Sequence, residues 1–414
     1  MTRNRFRIPW LAAVILALAI DASAAWKEKV LYSFQGVPDG SLPVGAVVFD
    51  KAGNLYGATT EGGSSSCISL AQCGTVYQLA PPARRGDPWT ETVLYVFKGN
   101  AAKDGASPVG GLVMDSAGNL YGTTAYGGTG NCVVLGTLMG CGTVFEISPP
   151  QQKGGKWTEA VLYSFPTPKQ GFVPVGDLVF DSAGNLYGAT MFGGGFGTTC
   201  NGFYQYCGAV FELSPPTRKG GKWTEKVLHG FKSGTDGASP NGSLVLDSNG
   251  RVYGTTFGGG NESGECGAGG CGTAFELKPP TRKGGAWTEA VLHRFEISAG
   301  EANPSAGMTF DGKDNLYGST VGTVFRLAPP PPKSSRWRET ILFTFDQDAY
   351  GPKGALIFDT SGNLYGAAEY GNNGSRYGSV FRLRPPNTTG GGPGLSVSSL
   401  ALQAARTEHS PPLS

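Results

Sequence analysis

Short runs rich in valine, leucine, tyrosine and phenylalanine follow one another down the chain, and each is cut off by glycine, proline, aspartate or asparagine. One stretch reads GDLVFD (176–181), GNLYGAT (184–190), GAVFELS (208–214) and WTEKVLHGF (223–231). β-Branched and aromatic residues suit a pleated, half-buried surface, and runs of this length between turn formers predict strands. Beyond the first two dozen residues no stretch carries the period of an amphipathic helix.

The four runs recur as a unit. Asp-x-x-Gly-Asn-Leu-Tyr-Gly, with small changes, begins at Asp50, Asp115, Asp181, Asp247, Asp311 and Asp359, spaced by 64 to 66 residues and by 48 before the last copy. Four antiparallel strands repeated six times predict an all-β six-bladed β-propeller of four-stranded antiparallel blades. A solenoid is the main alternative, but it normally uses shorter repeats and capped ends. Within each copy the aspartate and glycine read as a tight turn, the carboxylate accepting backbone amides and the glycine supplying a positive φ. The six aspartates are therefore expected to be scaffold. Trp-x-Glu strands begin at Trp26, Trp89, Trp157, Trp223, Trp287 and Trp337, so the first precedes the first complete blade. The last blade ends at 378–386 without a fourth run. The N-terminal strand 26–34 is thus expected to close the last blade and remove an exposed edge.

Glycine, at 67 of 414 residues, and 28 prolines would suit a disordered chain. Here they fall at fixed places between strand-like runs, which reads as many turns. At the start, Arg3, Arg5 and Arg7 precede an apolar stretch (8–20) and the small-residue sequence Ala22-Ser23-Ala24. That pattern predicts a secretory signal peptide over 1–24, cleaved near Ala24, with a retained anchor as the alternative. The propeller is assigned to 25–386 and a flexible tail to 387–414. No later segment is apolar for long enough to cross a bilayer. Removing three arginines and one aspartate with the signal takes the formal charge from +2 to zero. A neutral chain argues against a nucleic-acid partner.

The recurring segments VLYSF, LVFD, GNLYG and GTVFEL resemble the GloVer tandem repeat of bacterial extracytoplasmic proteins, often labelled choice-of-anchor proteins for their varied C-terminal attachment signals. The resemblance spans about 26–386. It implies a propeller-like fold and export to the cell exterior or envelope, and it supplies no catalytic residues. The tail, which has no hydrophobic anchor, departs from that label.

All eight cysteines fall between the second and third runs of units one to four, as Cys67 with Cys73, Cys132 with Cys141, Cys200 with Cys207, and Cys266 with Cys271. In an exported chain these predict four local disulfides. Zinc is the competing reading, which uneven spacings and the absence of nearby histidine oppose. In a propeller these loops share a face with those leading into the next blade, and loops on a rigid scaffold are where function concentrates. Unit five, with almost no loop at 318–325, would lower that rim to a side opening.

The rim carries Tyr126, Phe203, Tyr204, Tyr206, Tyr370 and Tyr377 as candidate ligand-binding residues, with Phe192 and Phe257 beside them. Flat rings among Asp, Asn and Gly suit sugar recognition; the alternative is that they pack their own loops shut. Only three histidines exist, and neither a G-x-S-x-G elbow nor a P-loop occurs, which opposes a His-based triad. Rim carboxylates Asp39, Asp104, Asp236, Glu265 and Glu301 remain as acids and bases. Asp104 and Asp236 are the candidates for glycosidic cleavage, although their recurring Asp-Gly context argues for a turn. Residues 346–351 begin like a calcium loop but place Ile357 where a bidentate glutamate is needed. No metal and no cofactor are expected. Basic loops on the opposite face, with Arg84, Arg85, Lys153, Lys156, Arg282, Lys283 and Lys333, read as solvated. The leading expectation is a non-catalytic, exported binding or scaffold module that recognises carbohydrate or another extracellular partner. A glycan-cleaving enzyme and a structural envelope protein that docks other proteins are the rivals.

Overall fold

The computed structural model describes residues 31–63, 73–134, 136–152, 154–194, 199–200, 204–205, 207–218, 220–261, 264–297, 302–304, 306–345, 354–368, 379–385 and 397–401. Six antiparallel sheets succeed one another along the chain, and together they form a six-bladed β-propeller. The third is the most regular, with Phe172–Phe180 innermost, then Leu186–Phe192, Ala209–Ser214 and Thr224–Gly230 outermost. The same order holds in the first sheet, from Ser41–Phe49 through Leu55–Glu61 and Thr75–Ala80 to Thr90–Val96. In the second and fourth sheets the innermost strand is broken in two, as Gly105–Pro108 with Val113–Met114 and Ala238–Pro240 with Val245–Leu246.

The repeated aspartate is the hub of each blade's first turn. Asp181 Oδ1 accepts from the amides of Ala183 and Asn185, both at 2.9 Å, while Oδ2 accepts from Asn185 Nδ2 at 2.7 Å and Tyr187 Oη at 3.2 Å. The same four bonds surround Asp50, Asp115, Asp311 and Asp359. These carboxylates are saturated by their own turn, as a scaffold role requires. The glycine after each tyrosine makes room for a ring. A Cβ at Gly188 would stand 2.5 Å from Phe211 Cζ, and one at Gly254 2.6 Å from Phe275 Cζ.

Those rings join one blade to the next. Phe97, Phe165, Phe231, Phe295 and Phe345, each just past an outer strand, meet Phe145, Phe211, Phe275, Phe325 and Phe381 of the following sheet edge-on or tilted, with centroids 5.0–5.3 Å apart. Burying each such ring stabilises the junction by roughly 1.5–3 kcal/mol. Nearer the axis, Ser107, Val173, Ser239 and Asn303, each preceding a proline, hold φ between 54° and 56°. Their amides donate to the carbonyls of Cys73, Cys141, Cys207 and Cys271 in the preceding blade, at 2.6–3.2 Å. A left-handed conformation costs a side-chain-bearing residue about 1–2 kcal/mol; here a bond across the blade junction opposes that cost. The inner strands of sheets one to five approach so closely that Cβ atoms at Gly45, Gly110, Gly176 and Gly242 would strike the backbone of the next blade.

The sixth sheet differs from expectation. Its outermost strand is Val397–Ala401, paired antiparallel with Ser379–Leu383, so the tail contributes a strand. Of the expected donor, residues 26–30 lie outside the described residues. Residues 31–34 pack on the first sheet, where Leu31, Tyr32 and Phe34 join Leu55, Tyr77 and Leu79. The pairing 397–401 was not legible because that segment lacks the Trp-x-Glu signature of every other outer strand.

Candidate functional site

The two loop sets do share one face. Asn100 Nδ2, in the connection between blades one and two, donates to Leu138 O of the second cysteine loop at 3.1 Å, and Gly128 N donates to Asp104 O at 2.7 Å. That cysteine loop is a small hairpin, Val133–Val134 against Thr137–Leu138, closed by the Cys132–Cys141 disulfide. A second disulfide joins Cys266 and Cys271, and Cys73 and Cys207 are also disulfide-bonded. Cys67 lies outside the described residues, as does the side chain of Cys200. The staples end at the blade junctions, because the second cysteine of each pair is the one whose carbonyl accepts the next blade's strained amide. Unit five has only the turn at Val321 and Gly322, where the Thr320 and Thr323 hydroxyls lie 2.9 Å apart. The rim is low there.

Of the candidate ligand-binding aromatics, Tyr126 is half-buried at the end of Leu120–Gly127 and packs against the core shared by the second and third blades. Tyr204 lies in the two-residue strand Tyr204–Gln205, with its side chain outside the description; Phe203, Tyr206, Tyr370 and Tyr377 fall outside the described residues. Phe192 stacks at a tilt on Phe172, 5.3 Å between centroids. Phe257 is exposed.

Asp104 and Asp236 are not brought together; they occupy equivalent places in different blade junctions. Asp104, only 5% exposed, accepts from Tyr95 Oη at 2.8 Å, Lys98 N at 2.9 Å and Gly105 N at 2.6 Å. Asp236 accepts from Lys232 N at 2.7 Å, and His229 Nε2 lies 3.3 Å from its Oδ1. Asp39 repeats the arrangement with Tyr32 Oη at 2.9 Å and Gln35 N at 2.8 Å. Each aspartate therefore holds its own loop and a ring from the preceding outer strand.

The sequence reading missed what faces these rings, namely the glutamate of the next blade's Trp-x-Glu strand. Burial, and then the charge of Asp104, pushes Glu159 up to about 7, against the pull of Lys98 and Tyr95. Burial and then Asp39 push Glu91 to about 7, and burial and then Asp236 do the same for Glu289. Glu225 reaches about 7 through burial, opposed by Tyr163, whose Oη is 3.4 Å away. One oxygen of each of these four glutamates is buried without a hydrogen-bond partner among the described residues. A glutamate raised to near neutral pH is the raw material of acid–base catalysis. Here, however, ring, aspartate and glutamate recur at three junctions. A reaction centre is built once, so the arrangement reads as a lock between blades. The recurrence of Trp-x-Glu was the available signal.

At the junction of blades four and five the lock changes. His293 Nε2 lies 3.2 Å from Glu339 Oε2, and a cleft of about 1070 Å³ opens between the outer strands Thr288–Arg294 and Arg338–Thr344. His293, Arg294, Glu296, Arg336, Trp337 and Arg338 line it. A smaller cleft of about 520 Å³ adjoins it, holding Arg251 and Lys278, both within 3.3 Å of Glu276. Among the described residues no cluster of three or more His, Cys, Asp or Glu side chains is placed to hold a metal ion, and no helix is long and apolar enough to cross a membrane.

The sequence profile of the Gloeobacter/Verrucomicrobia repeat matches residues 20–263, 136–321 and 195–391. No curated protein matches the chain in sequence. Among solved structures, virginiamycin B lyase from Staphylococcus aureus is similar at 15% identity and a TM-score of 0.47, over 87% of this chain and 85% of the lyase. The periplasmic gluconolactonase of Pseudomonas aeruginosa is similar at 14% identity and a TM-score of 0.47, over 87% and 82% of the two chains. A gluconolactonase from Xanthomonas campestris follows at 11% identity and 0.42, over 80% and 84%. None of these likenesses assigns a role to a residue here.

Proposed function

Since this chain belongs to the Gloeobacter/Verrucomicrobia repeat family, we propose that it is an exported, non-catalytic binding module of the cell exterior or envelope, which recognises a carbohydrate or protein partner through its disulfide-stapled face. One observation carries the reading. The hairpin closed by Cys132–Cys141 holds Val133 and Leu138 directly opposite each other, 60% and 50% exposed. A constrained loop loses little entropy on binding, and an apolar cross-strand pair held in water is more use to a partner than to the fold. Phe257 and Ile297 add exposed apolar surface on the same face.

The test is a glycan array together with crosslinking of the oxidised chain in its native envelope. Binding or crosslinking that Val133→Ser with Leu138→Ser abolishes supports the face, and Tyr204→Ala with Tyr206→Ala tests the third blade's share. A partner retained in full by both pairs of variants would refute the assignment. Cleavage of a bound glycan that disappears in Asp104→Asn or Asp236→Asn, with the fold intact, would favour the glycan-cleaving enzyme instead. Co-purifying proteins with no glycan binding would favour the docking role.

A further inference from the structure

The internal repeat supplies its own comparison, because each strand position exists in several copies and a departure confined to one copy marks something added. Two such departures, Arg294 and Arg338, border the cleft between blades four and five. Opposite the Thr or Ala that begins the third strand, four outer strands carry Val96, Ser164, Gly230 and Thr344, and the fourth blade alone carries Arg294. At the first position of the outer strand, Thr90, Thr158, Thr224 and Thr288 give way in the fifth blade to Arg338. Before the tryptophan, where other copies have Gly-Gly-Lys or Gly-Gly-Ala, the fifth has Ser334-Ser335-Arg336, with Arg336 keeping the basic residue found at Lys156 and Lys222. The sequence of the connecting loop also changes, with Gly300-Glu301 where the third-to-fourth connection has Asp236-Gly237.

We propose that this cleft is a binding site for a uronate-bearing oligosaccharide, with Arg336 and Arg338 receiving its carboxylates. Among the described residues no carboxylate lies within ion-pair distance of Arg336 or Arg338, and both residues line the cleft. Arg294 turns towards the preceding junction, where it donates to Thr235 O at 3.1 Å and its charge pulls against the rise of Glu289, so it borders the cleft without being free. Glu339 is held by His293, and in the smaller cleft Arg251 and Lys278 are answered by Glu276. The unanswered positive charge is thus concentrated in the larger space. Its volume of about 1070 Å³ accommodates several linked rings. A guanidinium fork matches a planar carboxylate in two parallel bonds, which a lone ammonium does not reproduce. Ser334, Ser335 and the edge of Trp337 offer the hydroxyl partners and apolar contact that sugar rings require. The glutamates at 296 and 339 weigh against a polyphosphate or nucleic acid, whose dense charge would meet both. A chain with one carboxylate per sugar can step between them. The site is separate from the stapled face, so either can fail without the other.

Calorimetric titration of the oxidised full chain with oligogalacturonate tests this. Binding is expected to weaken as salt is raised, to vanish for the methyl-esterified oligomer, and to fall roughly tenfold or more in Arg336→Gln with Arg338→Gln. Arg218→Gln, on the equivalent loop of blade three, is the control and is expected to change nothing, as are Val133→Ser and Leu138→Ser on the stapled face. Both arginine positions are exposed, and an unchanged thermal unfolding curve verifies the fold. The proposal is overturned if the oligomer does not bind, if the esterified form binds equally, if the double variant binds as the parent does, or if inorganic phosphate displaces the oligomer at matching concentration.

Discussion

Four glutamates share an unusual position: one carboxylate oxygen of each is buried with nothing among the described residues donating to it. Folding therefore favours their protonated form. With Glu91, Glu159, Glu225 and Glu289 pushed to about 7, the native state holds protons that the unfolded chain releases near its ordinary carboxylate range. The stability this confers is full below about pH 4.5 and is lost as pH rises through 7. Hub aspartates act in the opposite sense. Burial would raise Asp50 and Asp311, but Asn54 and Asn315 with their neighbouring amides hold both below the ordinary value; Asn363 does the same for Asp359. Their contribution is lost in acid. The unfolding temperature is thus expected to peak near pH 5 and to fall towards pH 8. Glu159→Gln and Glu225→Gln should flatten that fall, each raising the pH 8 value by about 2 °C once partial exposure is allowed for. Asp104 adds to the effect of burial at Glu159 while Lys98 and Tyr95 oppose it, and at Glu225 Tyr163 opposes burial. Circular-dichroism melts at pH 5 and pH 8 decide the matter, and parallel shifts of parent and variants at both would contradict it. At the hub, Asp181→Ala removes four hydrogen bonds and should cost roughly 2–4 kcal/mol by denaturant titration. Loss of less than about 1 kcal/mol would refute the hub assignment.

For the loops, the disulfides set what can be expected. Cys132 and Cys141 close a ring over a sequence separation of nine, for which chain entropy gives about 2–3 kcal/mol. Cys132→Ser with Cys141→Ser should release the hairpin, raising amide exchange at 133–138 while leaving exchange at Val173 slow, because the Cys141 carbonyl that Val173 binds belongs to the backbone. Faster exchange at Val173 would show that the staple also holds the blade junction. Elements formed from neighbouring residues were legible before any coordinates. The Asp-x-x-Gly turns, the four runs per blade and the pairing of Cys132 with Cys141 all lie within a few residues of their partners. What was not legible is made between blades. Tyr163 meets Glu225 across 62 residues, and Arg294 and the fifth blade's arginines border one cleft only when the sheets are laid side by side. The copies themselves held that information, since register-by-register comparison of the repeats isolates Arg294 and Arg338. Tyr126 illustrates the converse: a rim aromatic by sequence, it is half-buried against the core because its strand end lies under the next blade.

The whole molecule turns on how its two ends meet. In three described junctions the second-strand tyrosine of one blade receives an aromatic ring from the next inner strand, as Tyr121 with Phe180, Tyr253 with Phe310 and Tyr317 with Phe358. The repeat assigns Phe49 to Tyr365 in the same way, yet Phe49 is 65% exposed and Val47 44% exposed. The counterparts of Val47, which are Leu112, Leu178, Leu244, Met308 and Leu356, are all buried. At the other end, Phe34 meets Tyr77 at 4.8 Å just as Phe97 meets Phe145, so residues 31–34 already lie on the first blade as the end of an outer strand would. We predict that 26–34, with its Trp26 and Glu28, supplants Val397–Ala401 beside Ser379–Leu383 and draws the sixth blade over Phe49. Deleting 387–414 should then leave the unfolding temperature within about 1 °C, whereas Trp26→Ala should lower it by several degrees. A double-mutant cycle of Phe49→Ala and Tyr365→Ala should return a coupling of about 0.5–1.5 kcal/mol. If the tail deletion destabilises the chain, Trp26→Ala does not, and the cycle returns no coupling, Val397–Ala401 is the permanent outer strand and the face around Phe49 stays open to solvent.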